Sequence, residues 1–317
     1  MRSGSFPART GLALALLTAP AAAFAADNGG LNPAAYWDLC PGGSPSAMGG
    51  AAEGMRGDLA GAFYNPAGLA GLEGTEVQVG HAALSLGRSL NYLAVGASYQ
   101  EKYHFGLALL AYSDGSDLQA RSGPSVAPDA VFSDLALSVL ASLAFPLGPD
   151  WDLGVSARVL TQAFGLADLP TGFGLGEDLA LQYHPTADQC WGLTLSNALA
   201  DFLYSDGTDA PLPADLRLGL SQAFPDLDLK GALDLDWRTD LGPAPHVGLE
   251  WRPVESLAFQ GGYWVQLDGG EDGIGFGASL SLGLSGGVRT DLGYSVSTDR
   301  LLPGSLTQQL NLRAHFL

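Results

Sequence analysis

Asp226–Arg238 reads DLDLKGALDLDWR, in which apolar and charged residues alternate. Its leucines and Trp237 fall on one face of an extended chain, whereas its aspartates, Lys230 and Arg238 fall on the other. Successive side chains of a strand point to opposite faces, so one face meets an apolar phase and the other meets water. The stretch therefore predicts a strand of a sheet that has one apolar face and one polar face.

The same alternation continues from Thr75 to the C-terminus, with clear apolar stripes in 135–145, 274–282 and 306–316. It predicts about 14 strands. Most would be about 9–11 residues long, the length that a tilted strand needs to cross a bilayer. They are expected to begin near Thr75, Leu90, Tyr103, Asp134, Trp151, Glu177, Gln189, Ala214, Leu227, Pro245, Leu257, Gly273, Gly287 and Ser305.

The connections between these strands alternate in length. Short links at 100–102, 146–150 and 185–188 are followed by longer ones at 113–133, 163–176 and 198–213, with a tight turn at Gly87-Arg88 as an exception. Short turns on one side and long loops on the other are typical of transmembrane barrels. A soluble sandwich or propeller is the alternative, but it would favour strands of about five or six residues. We predict an all-β fold, a transmembrane antiparallel β-barrel over 75–317.

Composition suits a wall that contacts lipid, and it would also suit a repeat-rich or fibrous protein. Charged residues make up 15% of the chain, and there are 44 glycines. The net charge of −19 makes nucleic acid and anionic membrane surfaces poor partners. Outer-membrane lipids are the expected surroundings of the barrel.

The first 25 residues have the features of a secretory signal. Arg2 and Arg9 are followed by a short apolar core and by Ala23-Phe24-Ala25, a small-x-small cleavage site. We expect export to the bacterial outer membrane and cleavage of residues 1–25. In an oxidising compartment Cys40 and Cys190 can form a bridge or remain two free thiols, and the sequence leaves both open.

Residues 26–74 have no period of two and contain many glycines and prolines. We expect loop structure with a helical turn around Ala47–Met55, forming a hatch or plug inside the barrel. No pattern predicts a catalytic, metal or cofactor site. Gly283–Gly287 matches G-x-S-x-G, but it lies between two strands rather than at a strand-to-helix elbow, and the histidines are scattered singly.

Charges of both signs fall on the predicted lumen face, where they can form ion pairs that stiffen the wall or can line a wet path. A few lumen positions are apolar instead, and these could contact a hydrophobic ligand. They are Leu140, Leu160 and Trp264.

Three short motifs precede the first strand: Met48-Gly49-Gly50-Ala51, Gly57-Asp58 and Phe63–Ala70, which reads FYNPAGLA. Together they resemble the N-terminal signature of the FadL-like outer-membrane barrels, and the PorV/PorQ branch is the most similar. This resemblance implies that the N-terminal segment is a hatch and that the N-P-A element belongs to it. The implied hatch residues are Asn65, Pro66, Ala67 and Gly68.

Three hypotheses follow. The first is passive transport of small hydrophobic molecules across the outer membrane. The second, from the PorV-like resemblance, is an adaptor that binds client proteins in secretion or surface attachment. The third, an outer-membrane hydrolase, has no Ser/His/acid set in its favour, so we expect a protein that is not an enzyme.

Overall fold

The computed structural model describes residues 33–115, 118–121, 123–124, 127–166, 168–210, 212–269, 271–284 and 287–316. The predicted signal, residues 1–25, lies outside these ranges. The strands, in chain order, are β1 Thr75–Ala83, β2 Ser89–Tyr99, β3 Tyr103–Ser113, β4 Leu118–Ala120, β5 Ala130–Phe132, β6 Asp134–Pro146, β7 Trp151–Phe164, β8 Gly172–Thr186, β9 Gln189–Ser196, β10 Asp201–Tyr204, β11 Asp215–Phe224, β12 Leu229–Arg238, β13 Gly242–Val254, β14 Leu257–Val265, β15 Asp272–Leu284, β16 Val288–Thr298 and β17 Leu306–Phe316.

Fourteen of these strands close into an antiparallel barrel. The first and last strands pair from Thr75 with Phe316 to Ala83 with Gln308, and the β8–β9 pairing completes the ring. The short strand β10 pairs with the first residues of β8, Gly172 to Leu175. Strands β4 and β5 form a separate hairpin in the long connection after β3. The predicted fold class and strand number are confirmed.

The largest boundary error concerns β8, which begins at Gly172 rather than near Glu177. When only the sequence is read, glycines at alternate positions favour a loop. In the structure Gly172 and Gly174 face inward and leave room for the aromatic ring of Phe202. A Cβ on Gly172 would overlap the Phe202 ring, and one on Gly174 would lie 2.5 Å from Phe202 Cδ2. Phe202 belongs to β10, a strand inside the predicted loop 198–213.

The outer surface of the barrel is apolar. Along β6 the side chains of Leu135, Leu137 and Val139 are exposed, while Ser138 and Leu140 between and beside them are buried. This is the two-faced pattern that the alternation predicts. No helix in the described ranges has both the length and the apolar character that crossing a membrane requires.

Residues 33–74, which we name the inner segment, pack against the inward face of the wall. They contain one short helix, α1 Gly43–Ala47, and 3-10 turns at Ala35–Leu39, Leu59–Phe63 and Pro66–Gly71. Helix α1 contacts β15 and β16, and the turn Pro66–Gly71 contacts β6 and β7. The prediction of a helical turn around Ala47–Met55 is wrong. Helix α1 ends at Ala47, and Gly49 and Gly50 after it have φ angles of +68° and +88°, which stop the helix.

Candidate functional site

The inner segment approaches the wall backbone to backbone, and inward-facing glycines allow this. A Cβ on Gly154 would overlap the backbone at Pro66-Ala67, and one on Gly262 would overlap the backbone at Met48-Gly49. Gly192 stands in the same relation to the carbonyl group of Glu53. Glycine is the residue that permits such contact, so the wall is shaped to accept this segment.

Asn65, a residue assigned to the hatch by resemblance, is fully buried and joins three parts of the molecule. Its Nδ2 donates to Glu53 Oε1 at 2.8 Å and to the Glu53 carbonyl oxygen at 3.2 Å. It also lies 3.4 Å from the carbonyl oxygen of Leu181 in β8. Its Oδ1 accepts from the Ala67 N–H at 2.9 Å, which caps the turn Pro66–Gly71. Donors and acceptor of the amide are thus all used.

Pro66, Ala67 and Gly68 continue this turn and are buried. Pro66 occupies the first position of the turn, where no backbone N–H is required. The carbonyl oxygen of Gly68 accepts from Gly57 N–H at 2.9 Å, and a Cβ on Gly68 would overlap the carbonyl oxygen of Met55. The structure brings the four hatch residues together, and a gating role for them stays a prediction.

Two carboxyl groups fix the segment to β9 and β12. Asp234 Oδ2 accepts from the N–H groups of Ala52 and Glu53 at 2.6 and 2.8 Å. Glu53 Oε1 accepts from Thr194 Oγ1 at 2.5 Å as well as from Asn65. The second oxygen of each carboxylate is buried without a hydrogen-bond partner. Burial raises the pKa of the Glu53 carboxyl well above its usual range.

A cavity lies on each side of the inner segment. The loop-side cavity, of about 200 Å³, is lined by residues at the end of the barrel that carries the connections 239–241, 266–271 and 299–305, including Leu241, Gln266 and Arg300. The turn-side cavity, of about 240 Å³, is lined by residues near the short turns, including Lys230 and Arg252. Three stretches of the inner segment lie between them: 40–45, 48–50 and 60–64. Pro41 lines the first cavity, and Gly43, Ser44 and Pro45 line the second.

The loop-side cavity combines aromatic faces with charged groups. The aromatic side chains are those of Trp37, Phe63, Tyr64 and Trp264. The ionisable ones are those of Asp38, Asp215, Arg217, Asp236, Arg238, His246, Glu271 and Arg300. Such a cavity can receive a small ring on its apolar side while offering hydrogen bonds on its polar side.

The three apolar lumen residues named from the sequence all point inward, but the structure does not bring them to one place. Trp264 lines the loop-side cavity. Leu140 and Leu160 are buried in an apolar cluster with Leu69 of the inner segment. Sequence reasoning missed Trp37 and Tyr64 as cavity residues, because the inner segment has no periodicity from which a facing direction can be deduced.

Charges inside the barrel form ion pairs. Arg158 Nη2 lies 2.6 Å from Asp178 Oδ1 on the neighbouring strand. Arg313 bonds Asp58 of the inner segment at 2.8 Å and also pairs with Asp291. Of the two alternatives for the mixed lumen charge, ion pairs or a wet path, these contacts are ion pairs. The Arg313–Asp58 pair also joins the inner segment to β17.

The two cysteines do not form a bridge. Cys40 and Cys190 are buried free thiols. Cys40 lines the loop-side cavity, and Cys190 is the second residue of β9. Among the residues that the structure describes, no group of three or more His, Cys, Asp and Glu is arranged to hold a metal ion. Gly283 and Gly287 flank the turn between β15 and β16, and Ser285 and Gly286 lie outside the described ranges.

Solved structures with the same fold include two toluene transporters. The Ralstonia pickettii toluene transporter TbuX is 17% identical, with a TM-score of 0.62, over 87% of this chain and 98% of that one. The Pseudomonas putida toluene transporter TodX is 15% identical, with a TM-score of 0.61, over 86% and 96%. A Pseudomonas aeruginosa FadL homologue is 12% identical, with a TM-score of 0.59, over 86% and 97%. No protein-family model and no curated protein matches the chain.

Proposed function

We propose that this protein is an outer-membrane barrel for the passive entry of small hydrophobic molecules, with the inner segment as its hatch. The apolar outer face suits a wall surrounded by outer-membrane lipids. The fold is that of toluene transporters, and cleavage of residues 1–25 would accompany export. No residue has a catalytic role in this proposal.

The observation that carries the proposal is the pair of cavities separated by the inner segment. A solute that enters the loop-side cavity meets Pro41–Pro45 before it can reach the turn-side cavity. On either side of Pro41, Cys40 has a φ of 53° and Gly42 a φ of 104°. Displacement of this short stretch would join the two spaces without breaking the wall.

A reversible crosslink tests whether this displacement is needed. A Cβ at Gly43 would lie 3.4 Å from Asn311 Cβ in β17, near the separation of roughly 3.5–4.5 Å found in disulfides. We therefore combine Gly43→Cys and Asn311→Cys with Cys40→Ser and Cys190→Ser. Uptake of radiolabelled toluene and acetophenone is measured in cells before and after reduction.

The oxidised protein is expected to lose most of its uptake and to regain it with a reductant. A matched protein with Gly43→Ser and Asn311→Ser in the same background should not respond to the reductant. Equal uptake by the oxidised and reduced forms would show that the stretch need not move. No uptake above that of cells without the protein, in any form, would refute transport itself.

The adaptor hypothesis remains a separate prediction. It expects a secreted client protein to be recovered with the barrel after crosslinking in cells, whereas the transport proposal expects none in stoichiometric amount. Mass spectrometry of everything that co-purifies in mild detergent distinguishes a hydrophobic small molecule from a client protein.

A further inference from the structure

Arg300 holds an unusual position in the loop-side cavity. It belongs to the connection between β16 and β17, and its side chain reaches inward to the inner segment. Arg300 Nη2 donates to the Gly49 carbonyl oxygen at 2.8 Å. The guanidinium carbon lies 4.5 Å from the centre of the Trp264 ring, so the cation is stacked on an aromatic face.

The other two arginines of the cavity are neutralised by neighbours. Arg217 Nε lies 2.6 Å from Asp215 Oδ2. Arg238 pairs with Asp38 and with Asp240. Arg300 differs from them, because within the described ranges no carboxylate lies within 4.0 Å of its guanidinium. Its Nη2 lies 3.3 Å from His246 Nδ1, and the other ring nitrogen of His246 lies 3.3 Å from Asp236 Oδ2, so Asp236 faces the cation only through this imidazole. Its guanidinium keeps donors that the cavity's contents must satisfy.

The free N–H donors of Arg300 disfavour the binding of a plain hydrocarbon. A hydrocarbon that fills the cavity displaces water from Arg300 and offers it no acceptor, and an ionised group left without a partner is costly. A ring with an oxygen acceptor replaces the lost water with a charge-assisted hydrogen bond. A full anion is not favoured, because the cavity lining already has four carboxylates, those of Asp38, Asp215, Asp236 and Glu271, against three arginines.

The size of the cavity limits the rest of the ligand. An apolar cavity of about 150 Å³ is enough for benzene, and the loop-side cavity of about 200 Å³ has room for one ring with a short substituent. The rings of Trp37, Phe63, Tyr64 and Trp264 supply the apolar part of the lining that such a ring would contact. Arg158 covers one face of Trp37 and Arg300 one face of Trp264.

We propose that the loop-side cavity selects neutral monocyclic aromatic compounds that carry a hydrogen-bond-accepting oxygen, and that Arg300 is the residue that recognises this oxygen. This inference rests on the proposed transport function and narrows its substrate class.

A matched pair of ligands tests the inference. Acetophenone and cumene have nearly the same shape, but only acetophenone has an acceptor oxygen. Binding of each, and of benzoate as the charged analogue, is measured by calorimetry on the detergent-purified full chain. The variants are Arg300→Met, which removes the charge and keeps the length, and Arg300→Gln, which keeps a donor for Gly49. Arg289→Met, at the other end of the barrel on β16, is the matched control.

Wild-type protein and Arg289→Met should bind acetophenone about tenfold more tightly than cumene, since a hydrogen bond to a charged group contributes about that much. Arg300→Met should lose this preference by weakening acetophenone and not cumene, and Arg300→Gln should keep part of it. Equal preference in Arg300→Met, tighter binding of cumene by the wild type, or tighter binding of benzoate than of acetophenone would overturn the inference. If cumene binds and acetophenone does not, transport stands and the inference fails. If no ring compound binds and none is taken up, the proposed function fails with it.

Discussion

At the scale of single residues, docking of the inner segment depends on Asn65. Asn65→Ala would remove the acceptor of the Ala67 N–H and a donor to Glu53 in one change. Each buried group left unsatisfied costs about 1–3 kcal/mol. We therefore expect backbone amides of residues 52–70 to exchange with deuterium about tenfold to a hundredfold faster.

Asn91→Ala provides the control for this prediction. Asn91 is exposed, and its side chain bonds His81 at 2.7 Å on the outside of the barrel. Its removal should leave exchange in 52–70 unchanged. Unchanged exchange in Asn65→Ala as well would mean that the glycine contacts alone keep the segment docked.

Glu53 makes docking depend on pH. It belongs to the inner segment, and burial is the main reason that its pKa is raised, with Arg217 opposing the shift and Asp234 adding to it. Because the docked carboxyl has a higher pKa than a free Glu, at about 4.3, its contribution to docking is complete below that pH. The contribution is lost as the pH rises through the raised docked-state pKa.

Hydrogen exchange, corrected for the intrinsic effect of pH, should accordingly show less protection of residues 52–70 at alkaline than at acidic pH. Glu53→Gln should reduce this dependence, because the amide is neutral throughout and its oxygen can still accept from Thr194 and Asn65. An identical pH dependence in Glu53→Gln would assign the effect to another group.

At the scale of elements, β14 offers two adjacent glycines on opposite faces. A Cβ on Gly262 would overlap backbone atoms of Met48 and Gly49, whereas the nearest atom to a Cβ on Gly261 is Phe276 Cδ1 at 3.5 Å. Backbone cannot move aside as the end of a side chain can, so Gly262→Ala should displace the inner segment at a cost of about 1–3 kcal/mol or more. Gly261→Ala should be tolerated.

Limited proteolysis of the purified barrel measures this difference. Cleavage within residues 43–60 should become faster in Gly262→Ala and stay slow in Gly261→Ala, while both barrels keep their heat-dependent migration on a gel. Equally slow cleavage in both variants would mean that the wall yields instead of the segment.

At the scale of the whole molecule, the outer face must tolerate lipid. Val139 lies near the middle of β6 with its side chain outward. Val139→Arg should destabilise the barrel by about 2–4 kcal/mol in a bilayer. Leu147→Arg, in the exposed short turn after β6, should cost much less. Urea unfolding in lipid vesicles measures both, and equal costs would contradict a membrane position for this wall.

The strands of the barrel wall could be predicted from the residues alone. Alternation of apolar and polar residues is local, since side chains of an extended chain change face at each residue, and it predicted the strand number and most strand starts within three residues. It predicted β8 poorly, because its alternating glycines at 172–176 have no side chains to show a face. Their packing with Phe202 appears only when residues distant in sequence meet.

The contents of the lumen could not be predicted in this way, because they depend on how distant parts of the chain pack together. The inner segment has no period, so its turns, the partners of Asn65 and the aromatic faces of the loop-side cavity follow from contacts with glycines spread around the ring. Likewise, the sequence of the loop after β16 does not show that Arg300 lies on Trp264 and bonds Gly49. Closure of the barrel places them together, because it joins residues that are more than 200 positions apart along the chain.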